Sequence, residues 1–65
     1  MLSETNKLIK VLMEEDSPLF PSYTLFANGI GSFEDVLRNA EDSGIEFPEY
    51  VRSKGLDYEK IKIGD

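Results

Sequence analysis

The sequence predicts a small α+β domain. It has three helices and, as an optional addition, a two-stranded antiparallel ribbon of about 23–26 with 59–63; an all-α domain is the alternative. Three observations point there. Apolar residues recur at helical spacing over 4–15 and 32–43. The runs Tyr23-Thr24-Leu25-Phe26 and Ile61-Lys62-Ile63 are β-prone or alternate in polarity. A chain of 65 residues, 40% of them hydrophobic, makes one thin-cored domain spanning 1–65.

Ser3 suits an N-cap, and Glu4 complements the positive end of a helix. Leu8, Val11 and Leu12 repeat at helical spacing, and Lys10 and Glu14 stand i, i+4 on another side. A helix over about 4–15 follows. It ends before Ser17-Pro18, because the residue before proline avoids helical geometry. The next stretch, DSPLFPSYTLFANGIGS at 16–32, is apolar but broken by Pro18, Pro21, Gly29 and Gly31. It reads as a loop, a short strand and an Asn28-Gly29 turn.

Ser32 then caps a second helix over 32–43, with Asp35 three residues on as a capping-box variant. Phe33, Val36, Leu37 and Ala40 form its apolar stripe, and Gly44 with Ile45 gives a glycine-then-apolar ending. A third helix is expected over 48–54. Pro48 suits its first position, Glu49 its positive end, Arg52 and Lys54 its negative end, and Gly55 stops it. In the tail, Ile61 and Ile63 alternate with Lys60 and Lys62, which suggests a strand over 59–63; a short helix is the alternative there.

The chain has no cysteine and no histidine. It therefore lacks disulfides, Cys-based zinc sites and the usual neutral-pH acid–base group. No base is available to activate its serines, so no catalytic residue, cofactor or metal ligand is assigned, and a non-enzymatic role is expected. Glu14-Glu15-Asp16 lacks the spacing of a chelating loop. Asn28-Gly29-Ile30-Gly31-Ser32 opens onto a helix as phosphate loops do, but Glu34 stands where a third glycine belongs and no lysine follows. The start, MLSETNK, carries an acid where a signal peptide needs bases, and no apolar run nears the ~20 residues of a membrane span. A cytoplasmic location is expected, in the host cytoplasm if a phage encodes the chain.

The net charge of −6 opposes nucleic acid and anionic membranes as partners and favours a basic protein surface. Glu34, Asp35, Glu41, Asp42, Glu46 and Glu49 form an exposed acidic band suited to such a surface. Phe20, Tyr23 and Phe26 form a competing, apolar contact surface, since aromatic residues are favoured anchors at interfaces. Strand alternation would send Tyr23 and Phe26 to opposite faces, so at least one of the three aromatics should stay substantially exposed.

Residues 33–55 have the layout of a helix-turn-helix. A small DNA-binding transcription regulator is thus one alternative, although Glu46 and Glu49 stand where a recognition helix reads bases. A homo-oligomeric structural subunit is another. In size, charge and lack of cysteine and histidine, the chain resembles the small inhibitors made by phages and mobile elements, including anti-CRISPR and anti-restriction proteins. The resemblance is one of general character, with no shared motif. It implies a small acidic protein that binds and inhibits or regulates another protein, including one that processes nucleic acid.

Overall fold

Five segments of the chain each carry a start or a stop signal, and each becomes a helix. The computed structural model describes residues 3–65, and its elements are α1 (Glu4–Glu14), α2 (Phe20–Ala27), α3 (Phe33–Asp42), α4 (Phe47–Ser53) and α5 (Tyr58–Lys62). Three helices start on a side-chain cap. The Ser3 hydroxyl accepts from the Asn6 N–H at 3.2 Å, Ser32 from Asp35 at 3.3 Å, and the Asp57 carboxylate from Glu59 at 3.0 Å. The other two, α2 and α4, have proline in the first turn, where its missing N–H leaves no bond unmade.

All five helices end alike. After α3 the Ile45 N–H reaches the Ala40 carbonyl at 2.8 Å and the Gly44 N–H reaches Glu41 at 3.1 Å. The same paired bonds close α1, α2, α4 and α5. The turn needs one residue with positive φ, and four helices place glycine there; α1 places Asp16, at φ 52°.

The expected α+β class is corrected to all-α, its stated alternative: there are five helices rather than three, and no strand among the described residues. Residues 23–26 lie inside α2. Leu19, Tyr23 and Phe26 stand at i, i+4 and i+7, so a helix turns all three towards the core, whereas a strand would split them between two faces. Pro21 occupies the second position of α2 and costs it nothing. A four-residue β-prone run is a weak signal, and burial overrides it. The tail is likewise helical, because Asp57 caps α5 and only Ile61 of the two isoleucines is buried; Ile63 is 77% exposed.

The helices pack in chain order, each against the next, and α5 closes the circuit on α1. Leu8, Leu12, Leu19, Val36, Val51 and Ile61 are fully buried at the centre, each worth about 1.5–3 kcal/mol relative to exposure. Aromatic rings join the later helices: Tyr23 lies 5.8 Å from Phe26, Phe26 5.3 Å from Phe33, Phe33 5.8 Å from Phe47 and Phe47 6.1 Å from Tyr58.

Polar contacts clamp α1 at both ends. At its start, the Thr5 N–H and hydroxyl both donate to the main-chain oxygen of Asp65, at 2.7 and 2.8 Å. The Asp57 N–H donates to Glu4 at 2.9 Å. At its end, Glu15 accepts from Tyr50 and Lys54. Asn39 ties α3 to the turn before α2, donating to the Pro18 carbonyl at 3.0 Å and to the Ser22 hydroxyl at 2.8 Å.

Candidate functional site

All six residues of the acidic band are exposed, and α3 and α4 set them out in sequence. Glu34 and Asp35 sit in the first turn of α3, and Glu49 in the first turn of α4. There they complement the positive helix ends, so local structure already accounts for them. Asp35 also faces Arg38 at 3.6 Å, an exposed pair of little energetic weight.

Glu46, at the N-cap position of α4, also stands at a positive helix end, whereas Glu41 and Asp42 have no such account. Glu41 and Asp42 lie in the last turn of α3, against the negative end of its dipole, with no basic residue in that turn. Each costs the helix about 0.3–1 kcal/mol. Glu46 occupies the N-cap position of α4 but makes no capping bond with its side chain. Between Glu41 and Glu46 the chain reverses at Gly44, whose φ of +72° an L residue adopts only with strain.

That reversal folds the start of α4 back beside the end of α3 and leaves a cleft of about 460 Å³. Leu37, Ala40, Ile45, Phe47 and Pro48 make its apolar lining, and Glu41 and Glu46 are its acidic residues. Leu37 belongs to the apolar stripe of α3, yet it is 36% exposed, because it stands at the edge of the stripe where the cleft opens. The sequence marks Leu37 and Ile45 only as core residues; nothing in it signals a cleft, which exists only once α4 has turned back.

The apolar candidates lie elsewhere, and their expected exposure is corrected. Tyr23 is fully buried, and Phe20 and Phe26 are half-buried against the core. The physical reason is again the helical geometry of α2, which turns one side inward. As the ring distances show, Tyr23 and Phe26 serve the aromatic core. Phe20 lines a second cleft, of about 350 Å³, at the corner between α1 and α2, with Met13, Pro18 and Pro21. Met13, at 59%, is the more exposed side chain there.

The basic residues of the α3–α4 hairpin and the tail are largely engaged. Lys54 pairs with Glu15, Arg52 lies over the Tyr58 ring at 5.4 Å, and Lys62 pairs with Glu59 at 3.8 Å. The hairpin thus presents mostly negative charge. Hydrogen bonds from Lys54 and then Tyr50 hold the Glu15 carboxyl below its ordinary range. The main-chain N–H of Asp57, and then Lys7, do the same for Glu4. Burial, reinforced by Glu15, pushes the Tyr50 phenol up, so it stays protonated and donates.

Among the described residues, no three carboxylates come together as a metal-binding group. No helix among them is long and apolar enough to cross a membrane. Comparison with protein-family models, with curated proteins and with solved structures finds no match.

Proposed function

We propose that this protein works without catalysis, by docking the α3–α4 face on a basic surface of another protein and so inhibiting or regulating it. One observation carries the reading: Glu41 and Asp42 are exposed in the last turn of α3, against its dipole, and Glu41 lines a cleft together with the exposed Glu46. Carboxylates held at a helix terminus against its dipole are mildly destabilising, and a cationic partner would relieve that cost. The net charge of −6 adds long-range attraction to the same kind of partner.

Proteins that process nucleic acid are a fitting class of target, because their substrate grooves are basic and made for phosphates. A rigid face carrying carboxylates at helical pitch can occupy such a groove and exclude the substrate. This reading goes with a cytoplasmic location, the host's if a phage encodes the protein, since small secreted domains usually rely on disulfides and this chain has no cysteine.

The test is capture of a partner on the immobilised protein, followed by a salt series and charge reversal. Retention should fall steeply as ionic strength rises from about 0.05 to 0.3 M, where the screening length shortens to several ångströms. The Glu41→Lys, Glu46→Lys double variant, verified as helical by circular dichroism, should lose the partner. The captured protein should in turn lose its nucleic acid when the wild-type domain is added. Retention indifferent to both salt and charge reversal contradicts the reading.

A further inference from the structure

We propose that Asn28 is a self-modification site, where the chain's own backbone converts the side-chain amide to a carboxylate, and that the closing turn of α2 holds this reaction in check. The site stands apart from the docking face, and its test needs no partner.

The chemistry follows from the Asn28-Gly29 pair. The Gly29 main-chain nitrogen attacks the side-chain carbonyl carbon of Asn28, ammonia leaves with the nitrogen's proton, and a five-membered imide forms. Water then opens the ring at one of its two carbonyls. One opening gives aspartate. The other gives isoaspartate, in which the main chain runs through the former side chain. Either product adds one negative charge to the chain's −6. Glycine carries no side chain to hinder the attacking nitrogen, and both residues are exposed, so water reaches the imide. Asn6 and Asn39 precede Lys7 and Ala40 and lie within α1 and α3, so they are the slower comparisons.

In the fold, both reacting groups are tied down. The Asn28 side-chain amide donates to the Thr24 carbonyl at 2.9 Å, and the Asn28 main-chain N–H donates to the same oxygen at 3.0 Å. The Gly29 N–H donates to the Phe26 carbonyl at 3.1 Å, and the Ile30 N–H to Leu25 at 2.9 Å. Ring closure breaks the bonds from the Asn28 side chain and from Gly29, and it swings the Asn28 ψ away from its 6°. The reaction therefore waits on local opening at the end of α2.

After the reaction, the turn cannot close as before. A carboxylate cannot donate to the Thr24 carbonyl, and it puts negative charge at the negative end of α2. Isoaspartate also lengthens the main chain by one atom between Phe26 and Ile30, where the paired closing bonds fix the spacing.

For the test, the full chain is held in mildly alkaline buffer, one sample folded and one in guanidinium chloride. Trypsin then releases 11–38, in which Asn28 is the sole amide side chain, and mass spectrometry follows its conversion to acid. In denaturant Asn28 should convert ahead of Asn6 and Asn39. In the folded chain it should convert at least about tenfold more slowly than in denaturant. Asn28→Asp, which reproduces one product, should speed hydrogen exchange at the Gly29 and Ile30 amides about five- to thirtyfold and leave Ile45 as it was. Equal rates in the folded and unfolded chains would overturn the proposal. Conversion led by Asn6 or Asn39 would do the same, as would exchange at Gly29 and Ile30 indifferent to Asn28→Asp. The rate comparison uses the wild-type chain alone, so it decides the matter whether or not the variant folds.

Discussion

Tyr23 is wholly buried at the meeting point of α2 with the aromatic core, yet its hydroxyl has no hydrogen-bond partner. The Thr5 hydroxyl, the one polar group that bears on it, donates instead to the main-chain oxygen of Asp65. Burial pushes the Tyr23 phenol up, so it stays neutral and brings an unpaired dipole into the core. Tyr23→Phe should therefore stabilise the fold by about 1 kcal/mol, read as a rise of several degrees in thermal midpoint for a domain this small. A fall in the midpoint would mean that the hydroxyl is bonded in solution. Asp16 is the second residue set against its surroundings. It holds a φ of 52° where the four other helix ends use glycine, and it stands beside the second cleft, with Met13 and Phe20.

At the scale of the elements, α1 is held by carboxylates at its two ends, and that makes its anchoring depend on pH. The Glu4 and Glu15 carboxyls both lie below their ordinary value of 4.5 in the folded chain. A lowered folded value means that the stabilisation is fully present above the ordinary value. It is lost as pH falls through the lowered one. Glu15→Gln should thus unfold at lower denaturant than wild type at neutral pH, with the gap closing as pH drops below about 4.5. A gap that stays constant into acid would show that the bonds from Lys54 and Tyr50 do not depend on the charge.

The helices themselves were unevenly legible. A cap residue and an apolar stripe announce α1 and α3, and Pro48 with Gly55 brackets α4, so their positions could be read to within a residue or so. No such pair of signals marks α2. Its N-cap is Leu19, it carries proline in its first turn, and its exposed side holds Leu25 as well as polar residues, so no contrast of faces shows the helical period. With five residues, α5 is too short for periodicity to tell it from a strand, and tertiary packing on α1 and α4 decides. Asn39, which joins α3 to the turn before α2, looks in the sequence like any polar helix residue.

For the whole molecule, closing α5 onto α1 buries the apolar side of every helix and leaves the acidic band exposed on α3 and α4, with Arg38 between its α3 members. Charge alone made that band readable, because exposed carboxylates follow from the polar side of an amphipathic helix. What charge could not reveal is its division. Glu34, Asp35, Glu46 and Glu49 stand at positive helix ends, whereas Glu41 and Asp42 oppose the dipole of α3, and of the six only Glu41 and Glu46 line the cleft beside the reversal at Gly44. Likewise, the helix over 23–26 turns Tyr23 and Phe26 towards the core, while Phe20 lines the second cleft. The central claim is that a partner binds across this cleft. It is tested most directly by the hydrogen-exchange footprint that a captured partner leaves on the protein. The account predicts slowed exchange over 37–49, centred on Gly44 and Ile45, with α1 and α2 unchanged. Protection confined to Met13, Asp16 and Phe20 at the α1–α2 corner would contradict it.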